Sequence, residues 1–190
     1  MNKLMIIIGS TRPQRFGPQV ARWIATEAES LAKADGTFTI DLVDLAEVNL
    51  PFLDEAMPAG YQKYTNQHTK DWSARVGSAD GFIFVSPEYN HSYSAPLKNA
   101  LDYLAVEWAF KPLGLVTYGG HAGGVRAAEH LRSIAGELKM YDIRESVLVP
   151  HYWDYKDAEG NFVPTEDHRK SAQAMISQLI HWAKIMKTGR

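Results

Sequence analysis

The amino-acid sequence predicts an α/β domain in which a parallel sheet is covered by helices on both faces. Three observations predict it. Strand and helix patterns alternate along the whole chain. Several strand segments are continuous aliphatic runs, the mark of strands buried on both faces. Loops of unusual composition follow three of those strands, on the side where open α/β sheets hold their ligands. Such alternation argues for one sheet with right-handed crossovers.

The elements follow in order. Leu4 to Ile8 is an uninterrupted aliphatic run and reads as the first strand. Residues 18–33 carry Val20, Ala21, Ile24, Ala28 and Leu31 at helical spacing. Phe38 to Val43 alternates and reads as a second strand. A long polar connection follows, broken by Pro51, Pro58 and Gly60. Residues 66–77 read as a helix, Gly81 to Val85 as a buried strand, and Ala95 to Leu104 as the helix after it. Leu113 to Thr117 is the next strand and Gly124 to Leu138 the next helix. Ser146 to Val149 is the last strand. Glu166 to Met186 is a terminal helix with Ala172, Met175, Ile176, Leu179, Ile180 and Trp182 on its apolar side. No repeat, low-complexity tract or rich linker divides the chain, so residues 1–190 read as one domain. Lys156 to Asn161 reads as a surface loop.

Composition narrows the function. The chain has 190 residues, 45% hydrophobic and 22% charged, enough to bury a sizeable core. A net charge of -2 lacks the basic excess of a nucleic-acid binder. There are no cysteines, which excludes disulfides, thiolate nucleophiles and Cys-ligated metals. No apolar run approaches the ~20 residues of a membrane helix. The apolar start is too short for a signal peptide and runs into Gly9; a buried first strand in a cytoplasmic protein is the expectation.

Three loops carry the chemistry. Gly9-Ser10-Thr11-Arg12-Pro13-Gln14-Arg15-Phe16-Gly17 follows the first strand and leads into a helix. Free N–H groups at a helix start attract phosphate, and arginine adds bidentate hydrogen bonds. The alternative is a turn capped by Ser10 or Thr11 with solvated arginines. The loop has neither a Walker ending nor the Gly-x-Gly-x-x-Gly fingerprint. The second loop, Ser86 to Pro96, offers rings, amides and hydroxyls suited to a flat heterocycle, or else is a rigid turn before a helix begun by Pro96. Glu88 and His91 have no partner at a spacing that indicates proton chemistry. The third loop, Tyr118 to Gly124, holds four glycines that let backbone approach a ligand, or is a flexible turn. His121 has no companion ligand at metal-site spacing.

At these loops the sequence resembles the NADPH-dependent FMN reductase family, a flavodoxin-like group that includes quinone, azo-dye and chromate reductases. The resemblance rests on Gly9-Ser10-Thr11-Arg12, on Ser86-Pro87-Glu88-Tyr89-Asn90 with Pro96-Leu97-Lys98-Asn99-Ala100-Leu101-Asp102, and on Gly119-Gly120 with Gly123-Gly124. It implies a three-layer flavodoxin-like domain with a five-stranded parallel sheet in the order 2-1-3-4-5. It implies that Ser10, Arg12 and the amides near Phe16 and Gly17 hold the FMN phosphate. Pro87, Glu88, Tyr89 and Asn90 would line the isoalloxazine ring, largely through backbone, and Gly119 and Gly120 would approach its pyrimidine edge. Arg15 and Gly17 stand where many relatives carry Ser and Asn; Arg15 either supplies a charge there or points to solvent.

The implied activity passes hydride from NADPH or NADH through FMN to free FMN, a quinone or a similar small acceptor, in ping-pong order. No protein residue acts as nucleophile and no metal is required. The resemblance also implies a homodimer or homotetramer with flavin near the interface. Phe52, Trp108 and Phe110 are candidate interface aromatics, or core residues. A flavodoxin-type electron carrier is the alternative, against which the near-neutral charge argues. A phosphate-dependent regulator would need an acidic cluster after strand one, which is missing.

Overall fold

A computed structural model describes residues 1–189. Five parallel strands form one sheet: β1 (Asn2–Ile8), β2 (Phe38–Asp44), β3 (Gly81–Pro87), β4 (Pro112–Tyr118) and β5 (Tyr141–Val149). Their order is β2-β1-β3-β4-β5. Leu4 pairs with Ile40 on one side and with Gly81 on the other, and Phe82 pairs with Leu113. The expected order is therefore the observed one.

The aliphatic runs explain the layers. Alternate residues of a strand point to opposite faces. Leu4, Ile6 and Ile8 enter one core, where α1 (Gly17–Asp35) and α6 (Glu166–Lys187) pack. Met5 and Ile7 enter the other, under α3 (Gln67–Gly77), α4 (Ala95–Asp102) and α5 (Val125–Glu137). A strand that is wet on neither face has no polar position to spare, which is why β1, β3 and β4 read as continuous runs.

Three features depart from the expectation. β5 begins at Tyr141, ahead of the expected Ser146. Its early residues are hidden by polarity: Asp142 is ion-paired to Arg132, and the β4 register slips between Leu113 and Leu115. An edge strand tolerates both. The helix expected to Leu104 stops at Asp102, where Tyr103 and Leu104 turn into the core. The polar connection after β2 contains a four-residue helix, α2 (Leu45–Val48), capped by the Asp44 carboxylate accepting from the Ala46 N–H at 2.9 Å.

The rest of that connection is pinned by α4. The Asn99 side chain donates to the Pro51 carbonyl at 2.7 Å and accepts from the Leu53 N–H at 3.0 Å. The Tyr103 hydroxyl donates to Asp54 at 3.0 Å. Trp108 is fully buried and bonds the Leu101 carbonyl at 3.2 Å, whereas Phe52 is 87% exposed and Phe110 56% exposed.

Glu55 closes the same loop. Its carboxylate accepts from the Thr65 N–H at 2.9 Å, the Thr65 hydroxyl at 2.8 Å and the Asn66 N–H at 2.9 Å. Burial pushes this carboxyl up, but the donors outweigh it and bring it down from 4.5 to about 2. A carboxyl depressed in the folded state stabilises above its unfolded value, and that contribution is lost as pH falls from 4.5 towards 2. Acid titration followed by amide exchange at Thr65 and Asn66 should show the loop loosening in this window. Glu55→Gln should abolish that step; an unchanged acid profile in the variant would rule out Glu55 as the titrating group.

Candidate functional site

The carboxyl ends of β1, β3 and β4 lie side by side because the sheet order places β1 and β4 on either side of β3. The three loops leaving those ends meet at one cleft of about 160 Å³. Arg12 and Phe16 line it from the first loop, Pro87, Glu88 and Tyr89 from the second, and Gly119 and Gly120 from the third. Asn90 shapes the second loop without lining the cleft. A larger cavity, about 550 Å³, adjoins the first loop at Thr11 and runs between α2, Phe52 and α4.

The first loop is a cradle of unpaired donors. Among the described residues, nothing accepts from the N–H groups of Ser10, Arg12, Phe16 or Gly17. Ser10 and Phe16 are nonetheless buried, at 1% and 4% exposure. Buried N–H groups are almost always paired, so the unpaired donors of Ser10, Phe16 and Gly17, beside the start of α1, suit an anion. The helix adds its positive end and no side chain caps it. Arg12 is exposed at the rim and makes no ion pair among the described residues. Arg15 turns the other way, into an ion pair with Asp44 at the end of β2. The two arginines thus have different tasks, which the loop sequence alone does not separate.

The second loop is rigid. Tyr89 and Ser92 exchange both backbone hydrogen bonds, at 2.8 and 3.0 Å. Asn90 and His91 between them have φ of 49° and 67°, the left-handed pair of a tight two-residue hairpin turn. The Tyr89 hydroxyl shares a hydrogen bond with the Ser10 hydroxyl at 2.9 Å, tying the second loop to the first. The Ser94 hydroxyl donates to the Gly9 carbonyl at 2.6 Å, a second tie.

Glu88 serves α5. Its carboxylate accepts from the Arg126 guanidinium at 2.6 Å and from the Arg126 N–H at 3.1 Å. Burial raises this carboxyl, but the Arg126 charge and the N–H groups at the helix start hold it below the usual range. It is an anion fixed in place, with no proton to give near neutral pH.

The third loop wraps back on the end of β5. The Gly119 N–H donates to the Val149 carbonyl at 3.2 Å, and Gly120 accepts from the His151 N–H at 3.0 Å. The Gly120 N–H itself has no partner among the described residues, and Gly120 lines the cleft. No group of three or more His, Asp or Glu among the described residues could hold a metal ion.

Tyr152 escapes the sequence reading of the site, and Tyr118 enters it as the first residue of the third loop but without a role. Tyr152, from the turn after β5, stacks near Phe16 with ring centroids 5.1 Å apart. Tyr118, the last residue of β4, lies edge-on to Tyr152 at 5.6 Å. A signal for Tyr152 exists, since the loop after β5 leaves the same edge of the sheet. Lys156 completes this wall, its ammonium 4.8 Å from the Phe16 ring and 5.2 Å from the Tyr152 ring.

Comparison with known proteins agrees with this geometry. The family described as NADPH-dependent FMN reductase matches residues 2–154. An NAD(P)H-dependent FMN reductase of Schizosaccharomyces pombe is 44% identical over 140 residues, covering 73% of this chain and 68% of that protein. A 2-hydroxy-1,4-benzoquinone reductase of a Burkholderia species is 29% identical over 194 residues, covering 96% of each. Among solved structures, a flavoenzyme NAD(P)H:(acceptor) oxidoreductase of Paracoccus denitrificans superposes with a TM-score of 0.74 at 18% identity, over 98% of this chain and 99% of that one, which bears on the fold. With the flavodoxin-like sheet order, the three converging loops and a match over most of its length, the chain belongs to the NADPH-dependent FMN reductase family.

Proposed function

We propose that this protein is a single-domain FMN-dependent NAD(P)H oxidoreductase that reduces free FMN, a quinone or a similar small acceptor in ping-pong order. The observation that carries the reading is the cradle of unpaired N–H groups at Ser10, Arg12, Phe16 and Gly17, opening onto a cleft walled by the other two loops. A phosphate supplies the acceptors these donors lack. A flat ring system suits the remainder, between residues 87–89 and Gly120, whose N–H has no partner among the described residues. The residues present therefore fit FMN.

The roles follow from position. Ser10, Arg12 and the amides of Phe16 and Gly17 hold the phosphate. Arg15 acts at one remove, keeping the first loop against β2 through Asp44. Pro87, Glu88 and Tyr89 set one wall, with Asn90 shaping the turn behind them, and Gly119 and Gly120 set the other. The chemistry that a bound FMN supplies is reversible two-electron transfer between a nicotinamide and an acceptor. The chain orients the partners and excludes water; no side chain in the cleft is placed as a nucleophile.

The family relatives named for quinone and FMN reduction support a small-molecule acceptor. A carrier without turnover of its own is disfavoured by that kinship and by the net charge of -2. A homodimer or homotetramer fits the apolar side chains left in water along one stretch: Phe52, Leu53, Met57 and Tyr61, with Val106 and Phe110 flanking a hollow that Gly60 also lines. No helix among the described residues is long and apolar enough to cross a membrane. We place the protein in the cytoplasm, with the reduced nicotinamides it would consume.

The test is direct. Purified protein should bind FMN and oxidise NADPH or NADH when a quinone is added, with parallel double-reciprocal lines as the quinone is varied. Bound flavin that neither nucleotide reduces would instead make it a carrier, and absence of flavin binding would remove the reading altogether.

A further inference from the structure

Tyr118 is the one cleft-lining side chain with a buried polar atom and nothing to bond among the described residues. Its residue is 3% exposed and its hydroxyl makes no hydrogen bond of normal geometry among the described residues. The Ser10 hydroxyl lies close enough to act on the phenol as a hydrogen-bonding neighbour, but it is engaged with Tyr89 at 2.9 Å. An unsatisfied buried hydroxyl is costly, and one held rigidly is rarer still. This ring is held: Phe16 meets it edge-on at 6.2 Å and Tyr152 at 5.6 Å.

The direction in which the hydroxyl points locates its missing partner. A Cβ added to Gly17 would come within 2.9 Å of the phenolic oxygen. The phenol therefore sits against Gly17, the first residue of α1, whose N–H has no partner among the described residues. The Arg12 charge also acts on it. Burial keeps the phenol protonated far above neutral pH, so it retains a proton to donate beside backbone N–H groups that are donors themselves. A bound anion answers that arrangement.

We infer that Tyr118 donates its hydroxyl proton in a hydrogen bond to the phosphate of the bound flavin nucleotide, and that Gly17 is glycine because any side chain there would cover the phenol. The inference rests on the proposed flavin site and adds to it a residue from β4, outside the phosphate loop. Tyr118 becomes a specificity determinant, one that distinguishes FMN from riboflavin.

Tyr118→Phe keeps the ring and its edge contacts and deletes only the oxygen. A hydrogen bond to a charged group lost in this way should weaken FMN binding about tenfold or more. Riboflavin, with no phosphate, should bind both proteins alike. The apo variant should melt no lower than the wild type, since a buried hydroxyl without a partner has been removed. Gly17→Ala should give the same FMN-selective loss by covering the oxygen. Fluorescence-quenching titrations with FMN and riboflavin, together with apo melting curves, read all of this. Unchanged FMN affinity would overturn the inference, as would an equal loss for both flavins or a lower apo melting temperature, which would reveal a partner within the protein. Failure of the wild type to bind either flavin is a different result, and sinks the flavin site itself.

Discussion

Gly124→Ala should cost the protein about 3–5 kcal/mol, a large share of the 5–15 kcal/mol typical of a folded domain. Gly124 caps the start of α5 with φ of 88°, and its carbonyl accepts the Ala128 N–H at 3.0 Å. Two penalties add there. An L side chain in the left-handed region costs about 1–2 kcal/mol. The added methyl would also lie 2.6 Å from the Thr117 Cβ and 2.8 Å from the Tyr118 N, closer than packed atoms come. Neither neighbour yields easily, because both belong to the buried strand β4. Relief would require the third loop to lift away from β4, displacing Gly119 and Gly120 from the cleft. Thermal melting should therefore drop by roughly 10 °C, and FMN affinity should fall with it. Gly136, near the other end of the same helix, is the control. A Cβ there meets nothing within 4 Å, and Gly136→Ala should instead stabilise by about 0.5–1 kcal/mol. Equal melting temperatures for the two variants would show that Gly124 is not pressed against β4.

Arg12→Ala should weaken FMN binding by about 30–100-fold without lowering the melting temperature. The size follows from the ~1.5–3 kcal/mol of a hydrogen bond between ions, part of it doubled by bidentate contact. The absence of a stability cost follows from position, since Arg12 is exposed and pairs with no described residue. Riboflavin affinity should be untouched. Arg12→Lys should recover only part of the loss, because an ammonium lacks the planar fork. Arg15→Ala should behave the opposite way. Its partner Asp44 caps α2 and is largely buried, so that variant should melt earlier while binding FMN far better than Arg12→Ala does. Titration of both variants with FMN, beside their melting curves, separates the two arginines. Wild-type affinity in Arg12→Ala would move the phosphate away from this rim.

Much of the site is legible in the sequence because its carriers are punctuation. Gly9-Ser10-Thr11-Arg12, Pro87-Glu88-Tyr89-Asn90 and the four glycines after β4 each interrupt a buried run, and each falls at a strand end. Open sheets put ligands at those ends, so reading the strands nearly suffices to find the loops. The early residues of β5 are not legible for the converse reason. Asp142 and Arg144 are polar, and their strand is made by pairing with β4, which no local pattern records.

The sequence by itself determined the elements, their alternation, the parallel sheet and the three loops, because burial on two faces and turn chemistry are local properties written into consecutive residues. Only the tertiary structure decided which arginine is tied to Asp44 and which pairs with no described residue, that Glu88 caps α5, and that Tyr152 and Tyr118 line the cleft. Those facts depend on distances between residues far apart in the chain. Whether a donor has a partner is settled only when every neighbour is in place.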